Sequence, residues 1–322
     1  MKITILGSGG WGTALANLLC ENGHQVTLWS FLKEECENLK KTGENPFLKG
    51  VKLHPAIAYT SELSSVRFAE MVVVATPSFA VRATAEKIRD QLPEGCILVS
   101  VTKGIEAGTS LRMTQILEEV TGRTVAALSG PSHAEEVGRG VPTGCVAACR
   151  DEAVAEIVQD TFMNDHFRVY STDDVTGVEL GAALKNVIAL CAGVTDGLGY
   201  GDNFLAVLIS NCAAEMTRFL QESYPYERDT QASAYLGDLL VTSYSIHSRN
   251  RRLGLMIGHG CSVKTALNEM TMVAEGYFAA DCIRHINTRH QVEMPIAQMV
   301  YEVLYEKASA RKSMKALCAK LI

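Results

Sequence analysis

The sequence predicts two domains, an α/β N-terminal domain built on a mostly parallel sheet and an all-α C-terminal domain. Three observations carry this. The chain opens with a strand that runs into a glycine turn and a helix; apolar strands and helices alternate up to about residue 170; beyond that point only helical spacing remains. At 322 residues the chain exceeds one typical domain, and 47% hydrophobic with 20% charged residues is the composition of a globular protein with a large core.

Residues 1–6 form the opening strand and Gly7-Ser-Gly9-Gly10-Trp11-Gly12 the turn. At this spacing Gly7 allows the tight turn, Gly9 lets backbone approach a diphosphate, and Gly12 lets helix and strand pack closely, so the domain reads as Rossmann-like and dinucleotide-binding. Taken alone the pattern also fits an ordinary strand-turn-helix. Here a small apolar helix follows over 13–19, Gly23 closes it, and residues 25–29 supply a second strand. Further strands are expected at 71–75, 97–100, 124–129, 144–148 and 167–170, with helices at 79–90, 110–120, 132–137 and 151–163. The loop 42–60, with Pro46 and Pro55, reads as polar and mobile. Strands stop near 171–174, which places the domains at 1–172 and 173–322. Helices are expected at 178–197, 204–222 and 296–321, the last packing internally or forming a homodimer interface.

Composition excludes several classes. A net charge of −6, with no basic tract beyond residues 249–252, argues against nucleic-acid or acidic-membrane partners. No stretch approaches about 20 apolar residues, so no membrane-embedded segment is expected. Ten cysteines stand singly in apolar segments without a C-x-x-C, as core residues in a reducing, cytoplasmic compartment, and no metal site is expected; Cys145 and Cys149 read as packing.

Several constellations carry chemistry. Lys103 follows a strand end as a mobile point charge, although a lone surface lysine is usually nothing more. Ser129-Gly130-Pro131-Ser132-His133-Ala134-Glu135-Glu136 reads as a strand end and a helix capped by Ser132, equally the signature of any well-capped helix. Lys185 and Asn186 lie in a small, apolar helix; burial there lowers a lysine pKa and suits it to proton transfer. Asp238 and Thr242 are one turn apart and supply a partner, although an Asp here also fits a helix cap. Ser248-Arg249-Asn250-Arg251-Arg252 at a helix start is an anion cradle, or else a solvated charge cluster. Val273-Ala-Glu275-Gly276 adds a carboxylate of the kind ribose hydroxyls need.

In this order the motifs resemble the bacterial NAD(P)-dependent glycerol-3-phosphate dehydrogenases over residues 1 to about 280. The resemblance implies two domains enclosing a cleft and reversible hydride transfer between dihydroxyacetone phosphate and sn-glycerol 3-phosphate, which feeds phospholipid synthesis. It implies Lys185 as proton donor and acceptor, Asp238 holding its ammonium, Lys103 and Asn186 flanking the reacting oxygen, and Thr242 in support. Ser248, Arg249 and Asn250 would bind the substrate phosphate, with Gly130 and Ser132 completing the pocket. The cofactor set it implies is Gly7, Gly9, Gly10, Trp11, Gly12, Phe31, Lys33, Lys103, Ala134, Arg249, Val273 and Glu275, with Arg249 touching both ligands.

The chain departs from the family pattern in Trp29-Ser-Phe31-Leu32-Lys33, which has neither an acidic residue for NAD nor an arginine for NADP. Lys33 tips the expectation toward NADPH and leaves NADH open. Gln231–Tyr235 and His133 also differ from the usual residues, which touches substrate positioning. A 6-phosphogluconate-type dehydrogenase would share the helical Lys-Asn pair but lack Ser-Arg-Asn-Arg-Arg after Leu-Gly-Asp. A dinucleotide-sensing regulator would not need Lys185, Lys103 and Asp238 together.

Overall fold

The computed structural model describes residues 1–321. Two compact units emerge, one of Met1–Thr102 with Met113–Val175, the other of Lys103–Arg112 with the chain from Thr176 onward. A single cut at 172/173 contains neither the Val175/Thr176 boundary nor the excursion of Lys103–Arg112 into the second unit.

In the first unit eight strands, β1 (Lys2–Leu6), β2 (Gln25–Trp29), β3 (Ala58–Thr60), β4 (Met71–Val74), β5 (Ile97–Ser100), β6 (Val125–Ser129), β7 (Thr143–Ala148) and β8 (Phe167–Thr172), form one sheet. Their order is β3-β2-β1-β4-β5-β6-β7-β8, parallel throughout except for the antiparallel β6–β7 pair. The strands β4 and β6 are buried along their whole length, as central strands with both faces covered must be. Because β1 lies between β2 and β4, the strand order reverses beside it, and the crevice at such a switch point opens at the strands' carboxyl ends. The glycine turn leaves β1 at that end.

The loop 42–60 is neither loose nor wholly polar. Leu48, Val51, Leu53 and Ile57 are buried in the core, and residues 58–60 pair with β2, because the apolar positions around Pro55 find a hydrophobic cluster to enter. The helix expected at 79–90 begins as a 3-10 turn over Ser78–Ala80 and runs on as Val81–Ile88. That expected at 110–120 starts only at Met113, after Ser110 takes φ 60.

The second unit is helical: Val175–Gly197, Asp202–Ser223, Asp238–Tyr244, Arg249–Gly258, Val263–Glu269, Glu275–His290, Pro295–Tyr305 and Ala310–Cys318. Contrary to expectation, Val175–Gly197 is long and apolar enough by composition to cross a membrane. Its apolar stretch is buried inside the protein, which makes it a core helix. The single helix expected at 296–321 breaks where Lys307 adopts φ 58 and Ser309 caps a new helix through Lys312 N. The buried Glu215 carboxylate accepts the N–H groups of Ile296 and Ala297, each at 2.9 Å, and so satisfies orphan donors at the start of Pro295–Tyr305.

Candidate active site

Two functional clusters form, one in each unit. In the first, Gly7 has φ +125, and a Cβ on Gly12 would overlap the Gly7 carbonyl oxygen, so the turn tolerates no side chain at either position. Asn45 braces it, donating to Ser8 O at 2.8 Å and to Thr13 Oγ1 at 2.7 Å. Gly10 packs under the Phe47 carbonyl and beside Ala134. By contrast, a Cβ on Gly9 would meet nothing within 4 Å among the described residues, and no side chain caps the helix that Gly9 starts. Trp11 Nε1 is buried without a hydrogen-bond partner among the described residues. Open space beside uncapped N–H groups fits a diphosphate, so residues 7–12 suit a dinucleotide.

The neighbouring expectations divide. Phe31 is exposed, edge-on to Trp29. Lys33, which tipped the expectation toward NADPH, has a side chain 80% exposed and lies 4.0 Å from Glu37. An acidic residue lies just beyond positions 29–33: the side chain of Glu35, in the first turn of the helix Lys33–Thr42, reaches back to Ser30 and Ser8. Ser132 does not cap its helix. The helix is Ala134–Val137 with His133 as its first flanking residue, and the Ser132 hydroxyl turns back to donate to Gly130 O at 2.9 Å.

The second cluster centres on Lys185, only 5% exposed. Its ammonium donates to Asp238 Oδ1 at 2.6 Å and to Thr242 Oγ1 at 2.8 Å. The Thr242 hydroxyl in turn donates to Asp238 O at 2.6 Å, which leaves its oxygen to accept from Lys185. Lys103 Nζ lies 3.0 Å from Asp238 Oδ2, so one buried carboxylate joins both lysines. Burial pulls Lys185 down to about 7, against the attraction of Asp238 and with the push of Lys103. For Asp238 burial acts upward, but Lys103 and Lys185 overcome it and hold the carboxyl below its usual range. An ammonium has three donors and two are engaged, so one remains for a ligand oxygen.

Around it, Asn250 Nδ2 donates to Asn186 Oδ1 at 2.8 Å, and Asn250 Oδ1 accepts Gly276 N–H at 2.9 Å. This ties the helix carrying Lys185 to the helices that begin at Arg249 and Glu275. Ser248 caps the first of these through Arg251 N, as expected, and Arg249 is exposed at its start. Val273 and Glu275 are half-buried at the start of the second. Asp238 is the first residue of its own helix, with its side chain turned to the lysines and making no cap bond. Among the described residues no group of three His, Cys, Asp or Glu side chains is placed to hold a metal.

Two supporting features are not apparent from the sequence motifs above. Gly193 and Gly197 face Gly254 and Gly258, and a Cβ on Gly193 or Gly254 would overlap a backbone oxygen of the other helix. The G-x-x-x-G spacing in both helices was the available signal. The segment Lys103–Arg112 closes on itself through an Ile105–Arg112 bridge, and Arg112 Nη1 pairs with Glu179 Oε2 at 2.5 Å, both side chains buried.

Residues 2–155 match the family described as NAD-dependent glycerol-3-phosphate dehydrogenase N-terminus, and residues 174–315 match its C-terminus. The chain belongs to the NAD-dependent glycerol-3-phosphate dehydrogenase family. It is 45% identical to glycerol-3-phosphate dehydrogenase [NAD(P)+] of Moorella thermoacetica, covering 95% of this chain and 92% of that one. The same enzyme of Agathobacter rectalis is 43% identical, over 98% and 95%. Among solved structures, glycerol-3-phosphate dehydrogenase of Coxiella burnetii superposes with a TM-score of 0.94 at 30% identity, covering 98% of each chain.

Proposed function

We propose that this chain reversibly reduces dihydroxyacetone phosphate to sn-glycerol 3-phosphate with NADH or NADPH, Lys185 giving the proton to the carbonyl oxygen. The observation that carries the reading is the ammonium of Lys185 held by Asp238 and Thr242 with one donor left over. When bound, the reduced dinucleotide supplies the hydride to the carbonyl carbon. Lys185 then places a proton on the oxygen as negative charge develops there, and takes it back in the oxidation direction. Lys103, on the far oxygen of Asp238, adds positive charge that stabilises this oxyanion, and Asn186 supplies amide polarity beside it. Because Lys185 sits near neutrality, both protonation states are available at cellular pH.

Arg249 and the first-turn N–H groups of its helix, fixed by Ser248 and Asn250, hold the substrate phosphate, with Gly130 and Ser132 contributing to substrate binding. Gly7, Gly9, Gly10, Trp11 and Gly12 hold the diphosphate; Phe31, Lys33, Ala134, Val273 and Glu275 contact the rest of the dinucleotide. The enzyme works in the cytoplasm, and its product feeds phospholipid synthesis. The test is spectrophotometric: absorbance of NADH or NADPH at neutral pH should fall when dihydroxyacetone phosphate is added. Absence of turnover with both reductants rejects the reading.

A further inference from the structure

At the carboxyl end of β2 a carboxylate is tied to the glycine turn itself. Glu35 Oε2 accepts the hydroxyl of Ser30 at 2.8 Å and lies 3.2 Å from the hydroxyl of Ser8, the second residue of the turn. The Ser8 and Ser30 hydroxyls are 2.8 Å apart, and both serines are buried. Both contacts converge on Oε2, so Oε1 has no partner among the described residues. Two short, buried side chains therefore fix the carboxylate in place before any ligand arrives and leave one oxygen to accept a further hydrogen bond. Glu35 follows Gly12 by 23 positions, close to the roughly 20 at which a Rossmann acid meets the ribose. No arginine occurs over residues 30–42, and Lys33 is turned to Glu37 at the exposed surface.

We propose that Glu35, positioned by Ser30 and Ser8, selects the dinucleotide with a free 2′-hydroxyl, so that this site takes NADH in preference to NADPH. A fixed carboxylate accepts a hydrogen bond from a ribose hydroxyl. A 2′-phosphate in the same place brings about two negative charges against a third, and Lys33, the cation nearest in sequence, lies at the exposed surface beside Glu37. The proposal rests on reading residues 7–12 as the diphosphate turn.

The test is binding to the full chain, without turnover. Dissociation constants of NADH and NADPH are measured by fluorescence titration, and those of ADP-ribose and its 2′-phosphorylated form by calorimetry, for the natural protein, Glu35→Gln and Glu35→Ser. The expected result is NADH tighter than NADPH by about tenfold or more. Both variants should cut that preference by about tenfold or more, NADH weakening as its ribose hydroxyl loses the acceptor and NADPH and the 2′-phosphorylated ligand tightening as the repulsion is removed. The natural protein alone tests the preference even if a variant fails to fold. NADPH bound as tightly as NADH, or an unchanged ratio in folded variants, overturns the selectivity while leaving the enzyme assignment intact. Failure of all four ligands to bind overturns the turn reading and the proposal with it.

Discussion

At the residue scale, the proposed proton transfer turns on a lysine whose pKa burial lowers and a carboxylate that opposes the shift. Lys185 is lowered to about 7 because desolvation outweighs the attraction of Asp238. The reduction direction needs the ammonium, so its kcat/KM should be level below pH about 7 and fall above it, about tenfold per unit. Glycerol 3-phosphate oxidation needs the neutral amine and should rise through the same range. Because Asp238 raises the Lys185 pKa, Asp238→Asn should move both limbs to lower pH. Profiles that run the same way in both directions, or a limb that stays put in Asp238→Asn, would contradict the assignment.

At the element scale the site depends on how three pieces of the second unit are locked together. The helices Val175–Gly197 and Arg249–Gly258 approach through paired glycines, which sets Asn186 against Asn250. The segment Lys103–Arg112 is held at one end by Lys103 on Asp238 and at the other by Arg112 on Glu179. Arginine cannot shed its charge, so Glu179→Ala removes the carboxylate paired with a buried guanidinium. It should lower stability by about 3–5 kcal/mol, read from urea unfolding. Replacing both partners by apolar residues, Arg112→Met with Glu179→Leu, should recover most of that loss. Equal instability of the single and double variants would show that the pair contributes through packing rather than charge.

At the scale of the whole molecule, the alternation of strands and helices, the glycine turn and the change to helices alone were legible because each rests on local periodicity. The lysine cluster was legible as well: Lys185 and Asp238 each stand out as charges in apolar helices, and the structure joins them. Glu35 was missed because the acid was expected within residues 29–33, and only its side-chain contacts with Ser30 and Ser8 bring it to the carboxyl end of β2. Asn45 and the buried apolar positions of 42–60 were hidden by the surrounding prolines and charges. The excursion of Lys103–Arg112 was hidden because its partners, Asp238, Glu179 and Cys282, are distant in sequence. What the sequence lacked in each case was a tertiary partner, not a propensity.

The central claim is that Lys185 moves the proton, and it is tested most directly by Lys185→Met, which keeps the length and apolar stem of the side chain while removing its charge. Turnover of dihydroxyacetone phosphate with NADH and the dissociation constant of NADH are measured on the same preparation. If Lys185 is the proton donor, kcat falls by about 10²–10⁴-fold while dinucleotide affinity is retained within about threefold. A variant that binds NADH normally and turns over near the natural rate would contradict that role.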